Sequence, residues 1–130
     1  MAEREDPMAE REDPILAITF LYYRDLAAAE AFWLHLGFPV VIDQGFAKIF
    51  RVAEGAHVGL VDETRGMNDW QAQKCVQVCL RVPDVDTWHT WAKDESLPEV
   101  SKMFRNEALG IRAFVFTDTE GYQVEVQSTI

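Results

Sequence analysis

Phe20-Leu-Tyr-Tyr-Arg-Asp25-Leu-Ala-Ala-Ala-Glu-Ala-Phe-Trp33 and Cys79-Leu-Arg-Val-Pro-Asp84-Val-Asp-Thr-Trp-His-Thr-Trp-Ala92 read alike at a constant offset of 59 residues. In each, an extended run meets an aspartate, and apolar residues at helical spacing follow. An aspartate at such a junction accepts hydrogen bonds from the unpaired N–H groups of a first helical turn, so both stretches spell strand, cap, helix. The strands are set at Ile18 to Tyr23 and Val76 to Val82. Leu26, Ala29, Phe32, Trp33 and Leu36 form one helical stripe, with Gly37 placed where a left-handed residue ends a helix; Val85, Trp88, Trp91 and Ala92 form the other.

Working outward, three short strand candidates follow each helix. They are Pro39 to Asp43, Phe46 to Val52 and His57 to Val61, then Val100 to Phe104, Ile111 to Thr117 and Tyr122 to Gln127. The order is βαβββ, repeated, with module one at 15–61, a polar linker at 62–73 and module two at 74–130. The fold class is therefore α+β, one domain over 15–130 built of two βαβββ modules. Residues 1–14 are MAEREDP written twice, read as a solvated, tag-like tail.

The chain has 130 residues, 48% of them apolar, enough for one buried core. Its net charge of -10 argues against nucleic acid and anionic membranes, whose affinity comes from Lys and Arg neutralising negative charge. No apolar run is long enough for a membrane span, so a cytoplasmic protein is expected. Cys75 and Cys79, four apart on a strand, lie too far from each other to bridge; they read as small buried apolar residues, with metal ligation the alternative.

Alternation sorts the strands by face. One face of the first strand carries Ile18, Phe20 and Tyr22; Gln77, Cys79 and Arg81 share a face of the fifth, and Gln123, Glu125 and Gln127 of the last. For the sets Phe46, Lys48, Phe50 and Arg112, Phe114, Phe116 the alternation leaves both faces open. If both sets look away from the helices, that face is aromatic with a few charges, which suits a small-molecule pocket. The alternatives are plain core or a dimer contact.

These segments, together with Leu36-Gly37-Phe38, Val82-Pro-Asp84-Val-Asp86 and Asp118-Thr-Glu-Gly121-Tyr-Gln-Val-Glu125, resemble the vicinal oxygen chelate superfamily, the glyoxalase, bleomycin-resistance and extradiol-dioxygenase group. The resemblance spans residues 15–130. It implies that the two modules form a curved mixed sheet around a central cavity and that the protein is a homodimer, and it places metal ligands on the first and last strands of each module. By alignment those positions are Ile18, Gly59, Gln77 and Glu125. Two of the four have no electron pair to give, which is too few for a divalent site. His57, two residues from Gly59, is the fallback third ligand beside Gln77 and Glu125; His35 and His89 read as solvent-facing helical residues.

The expected function is thus binding of a small organic ligand, anionic or aromatic, in the sheet cavity without a complete metal site. Phe20, Tyr22, Lys48, Gln77, Arg112, Phe114 and Glu125 are the expected ligand contacts. Glu125 is also a candidate general base, since a carboxylate in an aromatic pocket holds its proton to higher pH, or else a hydrogen-bond partner of Gln77. The rivals are a divalent-metal-dependent lyase, isomerase or dioxygenase, and a dimerising protein with no pocket.

Overall fold

The computed structural model describes residues 11–130; the expected tail therefore lies outside the described residues over 1–10, and 11–14 are exposed. Ten elements follow in order: β1 (Ile18–Tyr23), α1 (Leu26–His35), β2 (Val40–Asp43), β3 (Ala47–Ala53), β4 (Ala56–Asp62), β5 (Gln77–Arg81), α2 (Val85–Asp94), β6 (Phe104–Asn106), β7 (Ile111–Thr117) and β8 (Gln123–Thr129). The βαβββ order holds in both modules. Each module makes its own four-stranded mixed sheet, β1-β4-β3-β2 and β5-β8-β7-β6, with the first and last strands of a module paired in parallel. The two sheets do not close on each other.

Both helices start on the expected aspartates. The Asp25 side chain accepts from the backbone N–H of Ala28, and Asp84 from those of Asp86 and Thr87. Gly37, at φ +103°, turns the chain out of α1 where a Cβ would be strained. Each helix covers one side of its sheet, and these covered sides merge into a single core. Leu21, Trp33, Phe50 and Leu60 from module one pack in the same cluster as Leu80, Phe114, Phe116 and Val126 from module two. The Phe32 ring lies 6.4 Å from that of Phe116, and Phe38 stacks on Trp88 at 6.4 Å.

Asp118 ties the modules together. Its carboxylate, 3% exposed, accepts hydrogen bonds from the Tyr23 hydroxyl and the Trp33 indole of module one, and from the backbone of Glu120 and Tyr122 in the turn before β8. Tyr122 returns the link, with its hydroxyl bonded to both the N–H and the carbonyl of Tyr22. A second pin holds the linker. The Trp70 indole donates to Glu120 at 2.7 Å while Arg24 and Lys74 lie over its ring, and Glu120 also caps the backbone of Arg24 and Asp25.

Several expectations are corrected by packing. The strand expected at Val100 to Phe104 is displaced to Phe104–Asn106, because the Ser101 hydroxyl rather than a backbone carbonyl takes the Val115 N–H and interrupts the ladder. His89 is not solvent-facing. Its ring sits 4.6 Å from Phe114, and its Nε2 bonds the Ser101 carbonyl. Cys75 and Cys79 are exposed free thiols rather than buried apolar residues. No helix among the described residues is long and apolar enough to cross a membrane.

Replacing Asp118 with Ala leaves two buried side-chain donors without an acceptor, at about 1–3 kcal/mol each, so denaturant titration should show a loss of about 3 kcal/mol or more. Burial first, and then the Asp118 charge, push the Tyr23 hydroxyl far above its usual value near 10; burial also raises Tyr122. The unfolded chain therefore releases these protons first, and stability should fall as pH rises above about 10, with Tyr23 staying protonated up to the cooperative transition. Ionisation of Tyr23 in the folded protein, read by ultraviolet titration, would contradict this.

Candidate functional site

Residues paired directly across a sheet share a face, so the registers decide what each sheet presents away from its helix. On module one, Ile18, Phe20 and Tyr22 pair with His57, Gly59 and Val61, which pair in turn with Arg51, Ile49 and Ala47. This is the open face. The Phe20 ring lies over Gly59, where an added Cβ would stand 2.5 Å from its Cδ1. Gly66 of the linker likewise lies against Tyr22 and Val61, at 2.6 and 2.7 Å from an imagined Cβ. Phe20 and Tyr22, with Gln44, Phe46, Val61, Arg65 and Met67, line a cleft of about 240 Å³. Two glycines thus let the aromatic rings and the linker wall approach closely.

The open face of module two is polar. Gln77, Cys79 and Arg81 of β5 pair with Gln123, Glu125 and Gln127 of β8. The Gln77 amide donates to Gln123 at 2.5 Å and reaches Glu125 at 3.5 Å; Gln127 donates to the other Glu125 oxygen at 2.7 Å, and Arg81 donates to Gln127 at 2.8 Å. Each amide in the row passes the orientation on, so the Glu125 carboxylate is aimed by neighbours rather than left free to rotate. Burial and the Glu125 charge raise the Cys79 thiol above its ordinary value, which keeps it protonated. At the head of this row, Lys74, Cys75, Val76, Gln77, Thr117, Gly121 and Gln123 surround a second hollow of about 380 Å³.

The structure therefore brings Phe20 and Tyr22 together on one open face, and Gln77 and Glu125 on the other. It withdraws Lys48, Arg112 and Phe114, the three for which alternation left the face undecided. Lys48 pairs with Leu60 and Asp43 on the helix side, where its ammonium meets Asp43 at 2.9 Å and Glu30 of α1 at 3.8 Å. Arg112 makes two bonds to Asp86 of α2, at 2.8 and 2.9 Å, and Phe114 is fully buried against Val126. The Gly45 N–H, followed by Lys48, holds Asp43 below the usual carboxylate range, and Arg112 does the same to Asp86. These cations hold helices to sheets. Phe46, Arg65 and Met67 were missed as cleft residues, because Phe46 precedes β3 and the linker carries no periodicity to sort its side chains.

A divalent ion with three protein ligands does not fit the donors of one chain. Ile18 and Gly59 offer none, and Gln77 and Glu125 lie on a different sheet from His57. Among the described residues no three His, Cys, Asp or Glu side chains converge. His57 Nδ1 is buried without a hydrogen-bond partner, yet His57 pairs directly with Arg51, whose positive charge disfavours a cation there.

No family model and no curated protein matches the sequence. Solved structures are similar to it over nearly their whole length. A lactoylglutathione lyase from Agrobacterium tumefaciens is 26% identical, covering 91% of this chain and 95% of its own, with a TM-score of 0.67. A bleomycin resistance determinant encoded on the transposon Tn5 is 16% identical over 89% of this chain and 98% of its own, with a TM-score of 0.71. A genomically encoded fosfomycin resistance protein from Listeria monocytogenes is 14% identical over 92% and 96%, also at 0.71.

Seating of the Phe20 ring on Gly59 is open to test. Gly59→Ala should cost about 1–3 kcal/mol by overpacking, and the cost should largely vanish in a Phe20→Ala background. An equal cost in both backgrounds would mean that the ring is not what Gly59 accommodates.

Proposed function

We infer that this chain, which has the vicinal oxygen chelate fold, binds a small organic molecule on the open faces of its sheets. The observation that carries the reading is the aromatic cleft of Phe20, Tyr22 and Phe46. It is a concave apolar surface that nothing else among the described residues fills. Phe20 remains 43% exposed although its ring is large and apolar, and such area gains binding energy when a ligand covers it. The ordered row of Gln77, Glu125 and Gln127 supports a second, directional set of contacts, with Glu125 as hydrogen-bond acceptor or general base.

Both open faces point away from the shared core, so a second copy of the chain is what would enclose them, and a homodimer is part of the proposal. Exposed free thiols at Cys75 and Cys79 support a reducing compartment such as the cytoplasm. The similarity to a lactoylglutathione lyase, together with the donors Gln77 and Glu125, favours a metal-dependent lyase, isomerase or dioxygenase as the second reading. In that case a partner copy would have to complete the ligand set.

Titration with 2-naphthalenemethanol, followed by naphthalene fluorescence, tests the cleft. Saturable binding is expected, weakened roughly tenfold by Phe20→Ala, in line with the loss of about 1.4 kcal/mol or more of aromatic contact, while the thermal midpoint changes little. No binding, or binding indifferent to Phe20→Ala, would refute the reading. Elemental analysis of protein prepared without chelator separates the two readings, since about one tightly held ion per site would favour the metal-dependent enzyme.

A further inference from the structure

The charges around the cleft are one-sided. The strand residues paired on the open face of module one are Ile18, Phe20, Tyr22, Ala47, Ile49, Arg51, His57, Gly59 and Val61, with Ile42 at the edge. None carries a carboxylate, although the chain as a whole has 22 acidic against 12 basic residues. Arg51 is on the face itself, and Arg65 reaches over the rim from the linker, its guanidinium 5.3 Å from the centre of the Phe46 ring.

Four other basic side chains of the fold are engaged with acids or amides. Lys48 is held by Asp43, Arg112 by Asp86, Arg105 by Glu107 and Arg81 by Gln127. Arg65 has no carboxylate within ion-pairing distance among the described residues. Asp62 feels its charge, but Oδ1 of that carboxylate is taken by the backbone and hydroxyl of Thr64. Among the described residues the Arg65 guanidinium donors have no hydrogen-bond acceptor, and Gln44 on the same rim adds an amide.

We propose that the ligand class of the module-one cleft is a flat aromatic anion, with its ring between Phe20, Tyr22 and Phe46 and its carboxylate or similar oxyanion on Arg65. This rests on the ligand-binding reading above and adds to it the charge and size of the ligand. At about 30 Å³ per water, 240 Å³ is the space of about eight waters, so a single ring or fused bicycle fits and its anionic group projects to the rim. Arginine suits this end because its planar fork binds a carboxylate through two donors while its face rests on an aromatic ring. The selector is therefore a linker residue, and Arg51, on the same sheet face, adds a longer-range attraction of the same sign.

Three probes with one ring system test the assignment: 2-naphthoate, 2-naphthalenemethanol and 2-naphthylmethylamine, each titrated at low salt. The native protein should bind naphthoate roughly tenfold more tightly than the alcohol, the gain of one charge-assisted contact, and the amine more weakly than either. Arg65→Met should abolish the preference, with acid and alcohol then bound about equally; Lys48→Met, on the helix side, should leave the preference intact. Equal affinities for acid and alcohol in the native protein would overturn the proposal, as would a preference that survives Arg65→Met. Failure of the alcohol to bind at all would instead overturn the ligand-binding reading itself.

Discussion

The buried Asp118 carboxylate is the constraint from which the arrangement of the modules follows. A carboxylate at 3% exposure is tolerated only when its oxygens are fully engaged, and here the donors come from both halves of the chain. Tyr23 ends β1 and Trp33 lies in α1, while Glu120 and Tyr122 shape the turn into β8. The bonds therefore fix the helix-bearing side of module one against the strands of module two. With those sides pressed together, the opposite faces are the ones left for other uses.

Much of the architecture was legible because it depends on local rules that the chain states twice. Asp25 and Asp84 announce helix starts, Gly37 a helix end, and β1 and β7 fall at the expected residues. The site was legible only in part. In β5 and β8 alternation separated polar from apolar faces, so Gln77 and Glu125 could be placed, whereas in β1 both faces are largely apolar and alternation showed only that Phe20 and Tyr22 share one. In β3 and β7 both faces contain apolar residues. Nothing in Lys48 or Arg112 alone says whether its charge will meet a ligand or the carboxylate of a helix, since Asp43, Glu30 and Asp86 are remote from them in sequence or on other elements. The partner decides, and the partner is a tertiary fact.

The same lesson applies to histidine and serine. His89 reads as solvent-facing because it is a polar helical residue, yet it stands four residues after Val85 and three before Ala92, on the buried stripe of α2, where the segment after the helix gives it the Ser101 carbonyl and the Phe114 ring. Ser101 simultaneously takes the Val115 N–H and so removes a strand where apolar residues alone called for one. One hydroxyl and one carbonyl of the same residue account for both departures from the sequence reading.

The stretch joining the modules is commonly a mere tether in repeated folds, but here Gly66, Arg65 and Met67 form a wall of the cleft, and Trp70 is clasped by Arg24, Lys74 and Glu120. The two halves are consequently not interchangeable parts. Were they produced as separate polypeptides, or reconnected in the opposite order through new ends cut in this stretch, the duplicated scaffold could still reassemble around its core, but the hollow would be missing a side. The repeated βαβββ order gives the fold its symmetry, and the asymmetry of the cleft resides in the seam.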